Sequence, residues 1–426
     1  MSSGCEITSL EELSEPDRDG ELVQSCGEPQ SLSGPGHDLD LDRAYAVSNP
    51  HPTQLADVLL PEVRALPMIG RADELALLRL WLDAADPISL RCLVGRQGTG
   101  KTRLAIELCV LAEPLGWHAG FAAVTTLKAW ADDATCRFDR TRPTLMVIDD
   151  ADALASLLVR LPSRLFCSGP ALRLLLLARD AGGSGGWRDE LAGSAELDLA
   201  RPILLPGLRS VEERRTLLAA AMRQGARAAC APSGLPPPDA VLECSEPMHL
   251  ILAGLLAPNA GVGRMLARSV AELALLQADT ELHRLADLAH RCHLDPRLVT
   301  HAAACVTLQD GCSIEAAIRL VEEECAWLGL QPAVAPEHVV DCLADALLSD
   351  AGDAIAPVRP MLIGGALSFR VLLREPPHRQ AAILDRALGR SEGRAAAMLR
   401  RMADDFADLG PAETVGPWKE LRPASA

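Results

Sequence analysis

Residues 95–102, GRQGTGKT, carry the residue types that hold the phosphates of a nucleotide. Gly95 and Gly100 enclose four residues and precede Lys101 and Thr102, which is the pattern G-x-x-x-x-G-K-[ST]. In that pattern the backbone N–H groups surround the β-phosphate, the ammonium bridges the β and γ phosphates, and the hydroxyl reaches Mg²⁺. A glycine-rich turn before a helix is the alternative interpretation. The pattern predicts ATP or ADP with Mg²⁺, contacted by Gly95, Arg96, Gln97, Gly98, Thr99, Gly100, Lys101, Thr102 and Arg103.

The choice of lysine at position 101 supports the phosphate-binding interpretation. The chain has only three lysines, Lys101, Lys128 and Lys419, and uses arginine at nearly every other basic position. A guanidinium is a wide planar fork, whereas an ammonium is a compact point charge that fits over a phosphate loop. We therefore expect Lys101 to act directly on the phosphates.

A second cluster of candidate residues follows the apolar segment LMVI. Asp149 and Asp150 stand at its end, as in a Walker B motif. The first carboxylate would hold Mg²⁺ together with Thr102, and the second would orient or deprotonate the attacking water. Aspartate is also common wherever strands end, so the pair alone is a weak signal.

The apolar segment LRLLLLAR ends in Arg179. Ligands of open α/β sheets bind at the carboxyl ends of the strands, so this guanidinium could contact the γ-phosphate. Alternatively, Arg179 pairs with Asp180 or faces solvent. The predicted catalytic residues are thus Lys101, Asp150 and Arg179.

These residues need strands and helices in a fixed order to bring them together. Apolar strands are predicted over Ser89–Val94 and from Ala119, Pro143, Leu172 and Pro202, and a helix over Thr102–Ala112. Strands that are apolar on both faces and alternate with helices predict a parallel sheet covered on both sides. After Leu208 the periodicity is helical almost throughout, and Ser210 with Glu213 forms a capping-box signature.

Composition limits the partners and the compartment. A net charge of -17 and a pI near 5.1 disfavour nucleic acid and anionic lipid surfaces. The longest apolar runs fall short of the roughly 18 to 20 residues that span a bilayer, and the first twenty residues have no signal-peptide pattern. The thirteen cysteines include no C-x-x-C pair. We expect a cytoplasmic protein with reduced cysteines and no membrane segment.

Two other clusters of polar residues are interpreted as ordinary surface. The side chains of His283, His290, Cys292 and His293 do not share one helix face and lack a carboxylate at ligand spacing, so no metal site is predicted there. The acidic run that begins at Glu322 is predicted to be a solvated helix face.

The motif order resembles that of a known family. The segment MIGRADE resembles the hhGRxxE box of the STAND class of P-loop ATPases, which are signalling NTPases related to AAA+ proteins and include apoptosome, plant-resistance and NACHT-like members. Gly70–Arg71 with Glu74, the phosphate loop, the aspartate pair and Arg179 follow the order of that class. The resemblance implies that Gly70 and Arg71 belong to the nucleotide site.

The resemblance continues into the helical half, with two departures. The segment CSEPMHLILAG resembles the one whose proline packs on adenine, which implies that role for Pro247, and residues 290–375 resemble a winged-helix module. Where related proteins carry a Met-His-Asp triplet that touches the diphosphate, this chain reads Arg359-Pro360-Met361. A C-terminal repeat array, usual in the class, is not evident.

The fold predicted from all these signals is an α/β P-loop NTPase followed by a mainly helical half. The predicted divisions are a disordered, acidic Ser/Pro/Gly-rich segment over 1–55, the P-loop NTPase domain over 56–208, a helical subdomain over 209–289, the winged-helix-like module over 290–375, and C-terminal helices with a tail over 376–426.

Three functions fit the sequence. The first is an ATP-binding, slowly hydrolysing signalling switch, in which the nucleotide controls rearrangement of the helical half and self-association or protein-partner binding. The second is a P-loop kinase that phosphorylates a small molecule, and it would need a lid with arginines beside the sheet. The third is a nucleotide-regulated DNA-binding protein, which the acidic charge opposes.

Overall fold

The computed structural model describes residues 41–43, 55–132, 140–160, 169–180, 186–189, 191, 201–229, 243–330, 334–347, 354–391 and 393–409. Most of segment 1–55, predicted to be disordered, lies outside the described residues, as does the tail after residue 409. Within 41–43, Asp42 forms an antiparallel bridge with Phe121, and Leu41 is buried.

Five parallel strands form the central sheet. They are β1 (Ile88–Val94), β2 (His118–Phe121), β3 (Thr144–Ile148), β4 (Leu172–Ala178) and β5 (Ile203–Leu204), in the spatial order β2-β3-β4-β1-β5. Every residue of β3 and β4 is buried, as expected for strands covered on both faces. The predicted parallel sheet is confirmed.

Helices cover both faces of the sheet. They are α1 (Ala72–Leu82), α2 (Lys101–Ala112), α3 (Val124–Asp132) and the short α4 (Ala155–Leu158). Leu145 of β3 packs with Leu78 of α1 and Leu104 of α2, whereas Met146 packs with Leu127 of α3 in a second cluster. Alternate residues of one strand therefore serve two cores, since successive side chains point to opposite faces.

An arginine lies fully buried inside this sheet. The Arg173 guanidinium in β4 donates hydrogen bonds to the carbonyls of Trp81, Ala84 and Asp86 at 3.0, 2.5 and 2.8 Å. Burial lowers its pKa, and Asp86 works against this. Arg173 thus satisfies the carbonyls where α1 ends and the chain turns towards β1.

The second half is helical, as predicted. Its elements are α5 (Val211–Ala228), α6 (Pro247–Ala260), α7 (Val262–Leu266), α8 (Val270–Arg291), α9 (Pro296–Leu308), β6 (Cys312–Ser313), α10 (Ile314–Leu328), α11 (Pro336–Ala346), β7 (Ala354–Ile355), α12 (Met361–Leu373), α13 (Pro377–Arg390) and α14 (Arg394–Asp405). Strands β6 and β7 pair antiparallel. The predicted capping box of Ser210 and Glu213 is present at the start of α5.

One large apolar core holds most of these helices together. Helix α12 lies deep within it and buries ten of its residues, and helices α8 and α9 pack against α12. Val58 and Leu59, which precede the sheet in the chain, also belong to this core. The segment before α1 therefore ties the helical half to the sheet.

Helices α5 and α6 approach each other closely through two glycines. A Cβ atom added to Gly254 of α6 would lie 2.6 Å from the Cβ of Ala221 in α5. One added to Gly225 of α5 would collide with the backbone carbonyl of Leu255. The two backbones are thus in near contact, which only a residue without a side chain permits.

The acidic run from Glu322 is not a uniformly solvated face, so that prediction was wrong for one residue. Glu322 and Glu323 are exposed, but Glu324 is fully buried and accepts hydrogen bonds from Arg386, Arg390 and His301. Basic side chains from two other helices supply the charge that a buried carboxylate requires. These four residues, Glu324, Arg386, Arg390 and His301, form what we call the Glu324 network.

Within the part of the chain that the structure describes, no helix is both long and apolar enough to cross a bilayer.

Candidate nucleotide-binding site

The predicted phosphate loop connects β1 to α2, at the carboxyl edge of the sheet. Gly98 and Gly100 have φ angles of +79° and +93°, which other residues rarely adopt. The amide of Gly95 is bonded to Ala178 O at the end of β4. Helix α2 begins at Lys101, so its N-terminus, with free N–H groups, points into the loop. An anion placed in the loop would meet these donors and the positive end of the helix dipole.

Lys101 lies back over this loop. Its ammonium donates to the carbonyls of Gly95 at 2.6 Å and Arg96 at 3.2 Å. Burial lowers the pKa of Lys101, Asp149 works against this, and Arg179 adds to it. The ammonium therefore lies over the loop, held by two backbone carbonyls of that loop.

Thr102 and Asp149 are in direct contact. The Thr102 hydroxyl donates to Asp149 Oδ2 at 2.8 Å, and the amide of Asp150 donates to Asp149 Oδ1 at 2.9 Å. Burial and the neighbouring Asp150 raise the pKa of Asp149 to about 6. A hydroxyl and a carboxylate at this distance fit Mg²⁺, which takes oxygen ligands and usually only one or two carboxylates from protein.

Asp150 adopts a left-handed backbone conformation with φ of +51°. Its side chain is 41% exposed and forms an ion pair with Arg401 of α14, with Nη2 at 2.9 Å from Oδ2. Asp150 thus stands beside Asp149 at the edge of the sheet. Its partner lies about 250 positions later in the sequence.

Arg179 joins three parts of the molecule. Its Nη2 donates to Gln97 Oε1 in the phosphate loop at 2.6 Å, and its Nη1 pairs with Asp405 Oδ1 of α14 at 3.2 Å. The structure therefore brings Arg179 to the loop, as the strand end predicts. Arg401 and Asp405 were missed because an acid four residues after a base on a helix is typical of solvated surface.

The GRxxE box contacts the backbone of the phosphate loop through Arg71. The Arg71 guanidinium is buried and donates to Thr99 O at 3.0 Å and to Pro206 O at 2.7 Å. Glu74, also buried, accepts from Arg209 at 3.1 Å. Arg71 therefore fixes the backbone of the phosphate loop against the segment after β5.

The remaining predicted residues differ in their distance from the loop. Gly70 has a φ of +68° and packs against Glu213 of the capping box. Arg103 points away along α2 to Glu107 and to Leu66 O, at 2.7 and 3.0 Å. Arg96 is exposed, with Glu246 at 3.7 Å. The Thr99 hydroxyl donates to Arg96 O at 2.8 Å within the loop.

The helical half contributes the first turn of α6. Pro247 is buried at its first position, where a missing N–H costs nothing. The amide of Met248 donates to Gly98 O at 3.2 Å, and a Cβ on Gly98 would lie 2.5 Å from the Met248 Cβ. The segment with the proline implied to pack on adenine thus rests directly on the phosphate loop.

No metal-type cluster forms from His283, His290, Cys292 and His293 within the described residues. The described histidine, cysteine and carboxylate side chains that do converge are His301, Cys305 and Glu324, all buried. The Glu324 carboxylate is already neutralised by Arg386 and Arg390. That arrangement fits a structural ion network better than a cation site, because two guanidiniums would repel a metal ion.

No protein-family model matches the chain, and no curated protein matches it. Among solved structures, the ORC1 protein of Aeropyrum pernix in complex with DNA is similar at 16% identity and a TM-score of 0.33, over 74% of this chain and 97% of that chain. A Walker-type ATPase of Pyrococcus abyssi is similar at 14% identity and a TM-score of 0.33, over 76% and 99%. Domain III of the replication initiation protein DnaA of Thermotoga maritima is similar at 13% identity and a TM-score of 0.28, over 56% and 90%.

The chain has the elements of a P-loop fold in the expected order. A parallel five-stranded sheet has helices on both faces, and a glycine-rich loop leads from β1 into the helix that begins at Lys101. Acidic residues follow β3, which β4 separates from β1, at the same edge of the sheet. This is the P-loop NTPase fold, followed here by a mainly helical half.

Proposed function

We propose that this chain is a cytoplasmic, ATP-binding and slowly hydrolysing switch of STAND type, whose helical half moves with the nucleotide state. The observation that carries the proposal is that the phosphate loop touches the helical half directly. Gly98 bonds to Met248 of α6, and Arg179 bonds to both Gln97 and Asp405. A ligand that reshapes the loop would therefore act on the helices without an intermediary.

Each site residue has a physical role in this proposal. Lys101 and the loop amides hold the phosphates, and Arg71 keeps the loop in shape. Thr102 and Asp149 would hold Mg²⁺, which supplies charge neutralisation on the β and γ phosphates. Asp150 orients the attacking water, and Arg179 stabilises charge on the γ-phosphate.

The order of elements supports the proposal of a STAND-type ATPase. The spatial order β2-β3-β4-β1-β5 places β3, β4 and β1 side by side, so the aspartate pair, Arg179 and the phosphate loop share one edge. In the helical half, the sequence α9, β6, α10, α11, β7 with β6 paired to β7 supports a winged-helix-like module. We propose the AAA+-related STAND class on these two orders together with the GRxxE box.

Two substitutions test the nucleotide site. We expect Lys101→Ala to abolish binding of ADP and of ATP, measured by isothermal titration. We expect Asp150→Asn to retain binding and to lose at least about a hundredfold in phosphate release, the range of a general base. Lys128→Ala is the control, since Lys128 is an exposed residue on α3. Tight ATP binding by the Lys101 variant would refute the site.

The switch is tested by the nucleotide content and mass of the purified protein. We expect ADP to be released on denaturation and the mass in solution to change when ADP is exchanged for a non-hydrolysable ATP analogue. An exchange that leaves the mass unchanged both alone and with candidate protein partners would contradict the switch. Rapid phosphorylation of a small molecule would instead favour the kinase.

A DNA-binding regulator is the second candidate, favoured by the order of elements around β6 and β7. The net charge of -17 opposes it, and we propose that nucleic acid is not a partner. Fluorescence anisotropy with labelled duplex and single-stranded DNA tests this at low salt, where phosphate contacts are strongest. Binding that weakens steeply with salt would overturn our proposal.

A further inference from the structure

Helix α14 presents an ion-pairing face to the nucleotide site. Arg401 and Asp405 are four residues apart, so they lie on the same side of the helix. Arg401 pairs with Asp150 at 2.9 Å, and Asp405 pairs with Arg179 at 3.2 Å. The Arg401 and Asp405 side chains are only 18% and 12% exposed, so the α14 side of both pairs is shielded from solvent, whereas Asp150 is 41% exposed.

The adjoining side of α14 is fixed in the helical half. Met398 and Met402 are buried in the large apolar core, where Met402 packs against Gly365 of α12. Phe406, just after the helix, stacks on Phe369 of α12 with ring centroids 5.6 Å apart. Any displacement of α14 from the sheet edge would therefore carry α12 with it.

A triphosphate and a diphosphate make different demands on these pairs. Arg179 is bonded to Gln97 of the phosphate loop and lies near enough to Lys101 to lower the pKa of that ammonium. A γ-phosphate between Lys101 and Arg179 would bring a second anion to the guanidinium that Asp405 now holds. ADP ends at the β-phosphate and leaves that partner in place.

We propose that Arg401 and Asp405 form a charge latch that distinguishes ATP from ADP at this site. The γ-phosphate takes Arg179 from Asp405, Asp150 then separates from Arg401 as α14 moves away from the sheet edge, and α12 moves with α14. With ADP both ion pairs persist, and the helical half stays docked. The latch rests on the proposed function, because it requires that nucleotide binds to the phosphate loop.

The latch predicts a change in nucleotide preference that adjacent residues do not share. ATP has to break the ion pairs and ADP does not, so removing a latch charge should favour the triphosphate alone. For Asp405→Asn and for Arg401→Gln we expect affinity for a non-hydrolysable ATP analogue with Mg²⁺ to rise about tenfold, with ADP affinity unchanged. The matched controls are Asp404→Asn and Arg400→Gln, exposed neighbours on the same helix, which should behave as wild type.

Hydrogen exchange of the amides in residues 394–405 gives the structural readout. In the wild-type chain we expect slow exchange with ADP and faster exchange with the ATP analogue, and in both latch variants fast exchange with either nucleotide. Equal exchange of α14 with the two nucleotides, when both bind the wild type, overturns the latch alone. Failure of the wild type to bind either nucleotide overturns the proposed function and the latch with it.

If Asp405→Asn fails to fold, Arg401→Gln alone tests the latch, since it removes a charge from the second ion pair independently. Equal nucleotide preference in Arg401→Gln and Arg400→Gln would also overturn the latch.

Discussion

Replacing Glu324 by glutamine should destabilise the helical half far more than the same change one residue earlier. The Glu324 carboxylate has no exposed surface. It accepts from Arg386 at 2.6 and 2.9 Å, from Arg390 at 2.8 Å and from His301 at 2.8 Å. Through these bonds α9, α10 and α13 share a single negative charge, which Glu324→Gln removes with little change in shape.

The expected size follows from what the substitution leaves behind. Removing one partner of a buried ion pair costs about 3–5 kcal/mol, because the opposite charge stays buried without compensation. The side chains of Arg386 and Arg390 are 24% and 19% exposed, so solvent recovers part of that cost. We therefore expect the free energy of unfolding to fall by about 3 kcal/mol.

Glu323→Gln is the matched control. Glu323 also accepts from Arg390, at 2.5 Å, but its side chain is 57% exposed. Exposed ion pairs contribute about 0–1 kcal/mol, so this variant should lose less than about 1 kcal/mol.

Urea unfolding at pH 7, followed by the helical circular dichroism signal, measures the unfolding free energy of both variants. The slope of the transition checks that unfolding stays cooperative. Equal losses of unfolding free energy in the two variants, or a larger loss in Glu323→Gln, would refute this role of Glu324. A loss confined to a change in slope would indicate an altered unfolded state instead.

Three further predictions concern single contacts. Arg71→Lys should weaken ADP binding about tenfold in isothermal titration, because one ammonium cannot reach both carbonyls that the guanidinium holds; unchanged affinity would contradict the bracing role. Burial lowers the pKa of His301, but Cys305 and Glu324 outweigh this and raise it to about 10, so its stabilisation is complete below about pH 6.5 and is lost towards pH 10. The difference in unfolding free energy between wild type and His301→Gln, from urea unfolding at pH 6, 8 and 10, should therefore decrease as pH rises. A difference that increases with pH would contradict this role of His301. Ser210→Ala should lower the unfolding free energy by about 1 kcal/mol in thermal unfolding, and no loss would show that the capping box contributes nothing.

The sheet and the phosphate loop could be predicted because their signals are local. Strands such as Leu172–Ala178 are continuous apolar runs, and the loop has a fixed spacing of glycines before Lys101. The Ser210 capping box likewise lies within four residues. For these elements, the neighbours in sequence are also the neighbours in space.

The contacts of α14 could not be predicted in this way. Arg179 and Asp405 lie 226 positions apart, and nothing near either residue indicates its partner. Glu324 stands in a run of three glutamates. Tertiary packing alone determines which of the three is buried. Arg173 lies in the predicted apolar strand that begins at Leu172, although its guanidinium donates to carbonyls about ninety positions earlier in the chain.

The close approach of α5 and α6 has a mechanical consequence. Where Gly225 and Gly254 bring the two backbones together, no side chain between them can change rotamer to absorb a shift. The two helices should therefore move as one rigid unit, and the first turn of α6 connects this unit to Gly98. Motion at the phosphate loop would then rotate α5 and α6 together, and neither helix would bend.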